Sequence, residues 1–377
     1  MSLVRASCEH NVLLKRGRAV KDLLRDFAKY NLFPRRLTNP VLPTALTLYV
    51  TYRCNMRCRI CGIWKTNSTA ERPELSLEEW DRILSDPLFS CLEIVNINGG
   101  EPNLRADLIP IVKSLIASHP RLSALSLNSN GIPPEKTIFH AEKIARLCNQ
   151  KNIRFSVSLS LHRIGEELDQ ITGIRDSYPK LRRALTGLKR LGRDQKFYLS
   201  VNCVICRLNL AHLDDMLAWS QREEIPVNFV LGEVRDRFHN AQMEQDVLID
   251  EQDKPELVAF LRKLARQKRL FGQHALRYRH LADMIEKGRA RSLACHYFLG
   301  GAVVGSDGML FYCKNSQPIG NCRIGAPYQA YLDPKNAGYR IHGLQKDRCL
   351  SCPPYTMNTM EVAKDLLKVL SDYVFHA

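Results

Sequence analysis

Three cysteines, Cys54, Cys58 and Cys61, stand in the run Thr51-Tyr-Arg-Cys-Asn-Met-Arg-Cys-Arg-Ile-Cys-Gly62. Iron-sulfur cubanes normally take four cysteine thiolates, so a compact three-cysteine loop leaves one iron without a protein ligand and open to something chemical. A second set follows much later: Cys295, Cys313 and the pair Cys349-Leu-Ser-Cys352. Asp307-Gly308, between Val303-Val304 and Met309-Leu310-Phe311, reads as a hairpin turn that draws Cys295 and Cys313 near each other. With the Cys-x-x-Cys pair this makes a four-thiolate site, which suits structural zinc or a four-iron cluster alike.

The three-cysteine loop resembles that of the radical S-adenosylmethionine (SAM) enzymes, and further motifs carry the resemblance along most of the chain. Leu92-Glu-Ile-Val-Asn-Ile-Asn98 runs into Gly99-Gly100-Glu101-Pro102, like the family's Gly-Gly-Glu-Pro turn. Asn128-Ser-Asn-Gly131 looks like its Thr-Asn-Gly turn and Phe155-Ser-Val-Ser-Leu-Ser-Leu161 like its Ser-Leu-Asp strand. The resemblance implies a SAM-binding four-iron cluster on Cys54, Cys58 and Cys61. It also implies SAM contacts from Gly99, Gly100, Glu101, Asn130, Ser158 and Ser160. Glycine lets backbone approach a ligand closely, and Glu101 would set negative charge beside the SAM amino group. Ile60 stands where the family usually has an aromatic residue, and Ser160 and Thr172 stand where it has an acid and an arginine. The second cysteine set resembles the twitch domain, the shortened relative of the SPASM extension, which implies one auxiliary four-iron cluster on Cys295, Cys313, Cys349 and Cys352. Cys322 lies between those ligands as a spectator, a replacement ligand or a hydrogen donor.

These residues need a frame to hold them. Runs rich in Val, Ile, Leu or Phe near 45–51, 92–98, 122–129, 153–161, 197–205 and 225–231 alternate with helical patterns, which gives six βα units. Ser76-Leu-Glu-Glu79 is a capping box that starts the first helix. Regular alternation predicts an α/β fold, a parallel sheet with helices outside, and six units resemble the partial (βα)6 barrel of the family. Ligands of such sheets gather at the carboxyl ends of the strands, and the cysteine loop, the Gly-Gly-Glu turn, Asn130 and the segment from Ser158 to His162 all fall at that edge. The expected organisation is a basic amino-terminal segment over 1–44, a radical SAM core over 45–240, a helical connector over 241–294 and a twitch-like α+β domain with a final helix over 295–377.

Lys and Arg number 55 against 39 Asp and Glu, an excess of 16 that biases the chain toward anionic partners without choosing among them. No signal-peptide pattern opens the chain, and no apolar run approaches the roughly 20 residues of a membrane span, which leads to a cytoplasmic expectation. Thirteen cysteines clustered in this way favour metal ligation over disulfides. Residues 12–33 read as a basic amphipathic helix that either packs on the barrel or touches an anionic membrane surface. Cys203 and Cys206 read as core residues. His162, Glu233 and Arg235 sit where SAM or substrate would lie, or else serve as caps and salt bridges. The expected function is SAM cleavage, with electrons from a donor such as flavodoxin or ferredoxin, and hydrogen abstraction from an anionic small molecule such as a phosphorylated or nucleotide-linked sugar. Oxidation and epimerisation both remain open, with a modified peptide or protein as the alternative substrate. A metal-stapled nucleic-acid-binding protein is the alternative of another class, against which the three-cysteine loop and the Gly-Gly-Glu-Pro turn both weigh.

Overall fold

The structure is a computed structural model that describes residues 42–66, 73–266, 273–288, 290–291 and 295–353. The expected helix over 12–33 and the final helix beyond 353 lie outside these residues. The chain divides into two compact units, one of residues Pro43–Ile249 with Ala302–Ala330, the other containing Asp250–Gly301 and Tyr331 onward.

In the first unit six strands, β1 (Ala45–Tyr49), β2 (Ile94–Asn98), β3 (Ala124–Ser129), β4 (Arg154–Ser160), β5 (Tyr198–Ile205) and β6 (Val227–Leu231), lie side by side in chain order. Every pair from β1–β2 to β5–β6 is parallel. The main helices between them are α1 (Leu77–Leu84), α2 (Leu108–Ser118), α3 (Pro134–Gln150), α4 (Ser177–Asp194) and α5 (Leu213–Glu223). This is the expected α/β partial barrel. Each predicted strand lies within two or three residues of an observed one, because each is a short β-branched or aliphatic run. The capping box at α1 is also present: Ser76 Oγ accepts from Glu79 N at 3.2 Å and Glu79 Oε2 accepts from Ser76 N at 2.8 Å.

Alternation sorts each strand into two faces. Val95, Ile97, Leu125, Leu127, Val157, Leu159, Val201 and Phe229 are buried, and burying each such side chain stabilises the fold by roughly 1.5–3 kcal/mol. The opposite face is polar. Thr47, Asn96, Ser126 and Ser156 stand in one register row, Asn128, Ser158 and Ser200 in the next, and Ser160, Asn202 and Asn228 in a third.

The hairpin forms as expected, with β7 (Gly301–Val304) antiparallel to β8 (Met309–Phe311), and β8 pairs in turn with β9 (Gly320–Asn321). Its place differs from the expected boundary at 295. These strands continue the sheet past β1, so residues 302–330 cluster with the barrel and 295–377 is not one unit. Side chains and backbone fasten the hairpin to the barrel: Arg323 donates to Glu79 at 2.7 Å, and Leu75 N donates to Ser306 O at 2.7 Å.

In the second unit α6 (Lys254–Ala265) and α7 (Gln273–Lys287) pack together, joined by Arg262 to Asp283 at 2.5 Å and to Glu286 at 2.8 Å. Among the described residues no helix is long and apolar enough to cross a membrane.

Candidate active site

The loop that follows β1 carries Cys54, Cys58 and Cys61, and four neighbouring segments hold it, three of them by its backbone. From the turn after β2, Gly100 N donates to Thr51 O and Glu101 N to Arg53 O, each at 2.8 Å. A Cβ on Gly99 would lie 2.5 Å from Thr51 O, and one on Gly100 2.3 Å from Arg53 O. Only glycine fits at these two positions, and what comes close is the cysteine loop itself. From the turn after β3, Asn130 Nδ2 donates to Asn55 Oδ1 at 2.7 Å and lies 3.9 Å from Cys54 Sγ, while Asn55 Nδ2 donates to Ile132 O at 2.7 Å.

The third clamp is the helical turn Leu168–Thr172, whose carbonyls at Ile171 and Thr172 accept from Arg59 N and Arg57 N, both at 2.9 Å. Thr172 is buried, with its hydroxyl on Leu168 O at 3.1 Å, so in this chain it serves the turn. The fourth clamp follows β6. Gly62 N donates to Phe238 O at 2.6 Å, and Asn240 Nδ2 donates to Ile60 O at 3.1 Å. Ile60 packs into a core cluster with Ile171, Cys206 and Val247, which gives the residue before the third cysteine a packing role.

Glu101 is fully buried and ties two clamps together. Its Oε1 accepts from Asn103 N (3.1 Å), Asn103 Nδ2 (2.7 Å) and Ser129 Oγ (2.8 Å), and its Oε2 from Asn130 N (2.6 Å). Burial pushes the carboxyl up to about 7, with the four donors offsetting part of that rise.

Burial likewise pushes the Cys54 thiol up to about 11 and raises Cys58 and Cys61. Charge on either of the other two cysteines raises the Cys58 thiol further. Among the described residues no three His, Cys, Asp or Glu side chains stand as ligands of a single metal ion. A cluster, larger than an ion, asks for wider spacing, and partly buried soft thiols suit iron and sulfide. The three thiols fit such a group, whose positive charge would favour the thiolates that burial disfavours.

Ser158 and Ser160 lie on the polar face of β4, Ser158 accepting from Ser200 Oγ at 3.1 Å and Ser160 in register with Asn202. The rest of that face is not among the site residues expected from the motifs. Asn228 donates to Asn202 at 3.0 Å, Asn202 to Asn128 at 3.1 Å, and Ser126 to Asn96 at 2.6 Å. Its signal is the Asn and Ser in every second position of Ile-Val-Asn-Ile-Asn, Ala-Leu-Ser-Leu-Asn-Ser and Tyr-Leu-Ser-Val-Asn-Cys. Parallel strands buried on both faces read as continuous apolar runs, so this alternation marks a face that meets a polar ligand or water. His162, two residues past the end of β4, is buried, accepts from Val204 N through Nδ1 at 3.2 Å, and is pushed by burial down to about 4, which leaves it neutral at pH 7 with its proton on Nε2.

The second cysteine set divides between the units. Cys295, Cys349 and Cys352 belong to one, where Arg291 N donates to Leu350 O at 2.7 Å, and Cys313 belongs to the other. Cys322 is buried within reach of the charges of Asp86, Arg82 and Asp307, on the α1 and hairpin side of the barrel unit. Cys203 and Cys206 are buried, as a core reading expects.

Residues 48–219 match the family profile described as the Radical SAM superfamily. Over this span the chain is similar to that superfamily. Among curated relatives, GTP 3',8-cyclase of Pasteurella multocida is 29% identical over 212 residues, covering 54% of this chain and 59% of its own. PqqA peptide cyclase of Bradyrhizobium diazoefficiens is 27% identical over 180 residues, covering 48% of this chain and 43% of its own. The chain thus matches about half the length of these relatives. Among solved structures, SuiB of Streptococcus suis bound to its precursor peptide SuiA superposes with a TM-score of 0.57 at 15% identity, covering 89% of this chain and 80% of that one. The protein anSMEcpe with bound AdoMet and a peptide gives 0.52 at 18% identity, covering 88% and 96%. These two likenesses are likenesses of fold. SuiB has also been solved bound to S-adenosylmethionine, at 16% identity and a TM-score of 0.57.

Proposed function

We propose that this protein cleaves SAM reductively and abstracts hydrogen from a carbon of an anionic, hydroxyl-rich small molecule, such as a phosphorylated or nucleotide-linked sugar, which it oxidises or epimerises. Cys54, Cys58 and Cys61 would hold the SAM-binding cluster, and Cys295, Cys313, Cys349 and Cys352 an auxiliary one. Bound together, the first cluster and SAM supply a 5′-deoxyadenosyl radical and the second cluster a sink for an electron. The chain's own part is placement. The four clamps on the cysteine loop, three on its backbone and one on the Asn55 side chain, hold it before any ligand arrives. Gly99, Gly100, Glu101, Asn130, Ser158 and Ser160 would border SAM, and the polar face would receive the substrate.

That face is the observation that carries the proposal, because hydroxyl and amide groups in rows match the hydroxyls of a sugar. A peptide substrate is the second reading. It is supported by the likeness to PqqA peptide cyclase and to the fold of SuiB, whose structure holds a precursor peptide.

The test uses anaerobically reconstituted protein with a flavodoxin or a chemical reductant. Iron, sulfide and 5′-deoxyadenosine are measured for wild type, for Cys54→Ala/Cys58→Ala/Cys61→Ala and for Cys349→Ala/Cys352→Ala. The expected result is about eight irons per chain, halved in either variant, with SAM cleavage lost in the first. Zinc in place of iron and no 5′-deoxyadenosine would refute the proposal. Sugar nucleotides and peptides added in turn then separate the two substrate readings by which of them raises 5′-deoxyadenosine formation.

A further inference from the structure

The polar face of the six strands carries no charged side chain among the described residues except Arg154 at the foot of β4. Charge appears instead at one corner of the barrel unit, in the segment that leaves β6. Glu233 and Arg235 form an ion pair there, each only 12% exposed. Arg235 N donates to Asn240 Oδ1 at 2.9 Å, and Asn240 Nδ2 donates to Glu233 O at 3.0 Å as well as to Ile60 O. The corner is therefore bolted to the cysteine loop between Cys58 and Cys61.

Two features of this corner exceed what an ion pair within the fold requires. Arg235 Nε is buried and donates to no group among the described residues. A buried guanidinium N–H left without an acceptor is costly, and native structures seldom leave one so. A second cation acts on this corner, since the charge of Lys314, exposed on the chain after β8, offsets part of what burial does to the Glu233 carboxyl. Two cations thus share one carboxylate, at the carboxyl edge of a parallel sheet where ligands gather. The open Nε and the spare charge both call for one more oxyanion.

We propose that Arg235 and Lys314 form a subsite for an oxyanion of the substrate, a phosphate or a carboxylate, and that Glu233 competes with that group for the two cations. This rests on the proposed function, and it supplies the anion recognition that the uncharged sheet face lacks. An arriving oxyanion accepts from Arg235 Nε and Lys314 Nζ, while Glu233 stays on the far side of the guanidinium as a competing acceptor. A phosphate and a carboxylate have the acceptor chemistry in common, and guanidinium matches both.

Isothermal titration of the full, iron-reconstituted chain tests this, with inorganic pyrophosphate and glutarate as the two probes at fixed ionic strength. Iron per chain verifies that each variant has folded. Arg235→Gln should weaken the preferred probe by about tenfold, the loss of one charge-assisted bond. Lys314→Gln, at an exposed position that leaves the fold intact, should weaken it by roughly threefold. Glu233→Gln should tighten it by about fivefold or more, because the competing carboxylate is gone. Preference for pyrophosphate identifies a phosphate source and preference for glutarate a carboxylate source. The inference is overturned if neither probe binds wild type, if Lys314→Gln changes nothing, or if Glu233→Gln fails to tighten binding. In parallel, wild-type 5′-deoxyadenosine formation is measured. Its absence beside the expected binding pattern would refute the proposed function and leave the anion site standing.

Discussion

Replacing Glu101 by Gln should change how stability depends on pH, and the sign of the change decides what sets the charge of this residue. Burial raises its carboxyl from an ordinary 4.5 to about 7. From about pH 4.5 to 7 the folded chain then holds a proton that the unfolded chain has lost, so wild-type stability declines as pH rises and levels off above about 7. The slope is about 1.4 kcal/mol per pH unit, or roughly 2 kcal/mol between about pH 5.5 and 7. Gln has no such proton. It does place an NH2 group against either Asn130 N or the donors of Asn103 and Ser129, at a cost of about 1–3 kcal/mol. Urea unfolding of both proteins under argon across this range gives the difference directly. The expected result is a gap between wild type and Glu101→Gln that shrinks as pH rises, because the wild type alone loses stability. A gap that stays constant between about pH 5.5 and 7 would mean that the four donors outweigh burial and hold Glu101 as a carboxylate throughout, and burial would then not be what sets its charge.

Gly100→Ala should cost most of the bound iron, since its Cβ would stand 2.3 Å from a carbonyl of the cysteine loop, whose displacement pulls Cys54 out of place; iron analysis after reconstitution shows it, and full iron retention would count against the clamp. Asn202→Leu removes the centre of the Asn128–Asn202–Asn228 hydrogen-bonded chain and should raise the substrate KM by about tenfold or more, read once a substrate is in hand, with an unchanged KM excluding the sheet face as the substrate platform.

The barrel is legible in the sequence because each strand is a local pattern: a β-branched or aliphatic run of five to eight residues between helical stretches. The start of α1 is legible for the same reason, its capping box lying within four consecutive residues. The place of the hairpin is not. Val303 to Phe311 announces a turn, but pairing past β1 joins segments some 250 residues apart, and nothing in either segment specifies the other. The polar face is written in the sequence, yet a search for apolar runs passes over it. Counting apolar residues finds a strand by one face only, and the Asn and Ser of every second position belong to the other.

The glycines of the candidate site meet a demand other than the one their motif suggests. Room for a ligand is the expected role of Gly99 and Gly100, yet the room at their Cα atoms is filled by the carbonyls of Thr51 and Arg53. Gly62 and Gly173 behave alike, the first against His239 O and the second against Arg57 O. All four lie where a neighbouring segment meets the cysteine loop. A backbone clamp made of N–H and C=O groups leaves no side-chain signature, and the absence of a Cβ is its only trace in the sequence. That trace places the loop's rigidity ahead of ligand contact as the physical demand on these positions. A Cβ at any of them should therefore disturb the three thiols before it disturbs SAM.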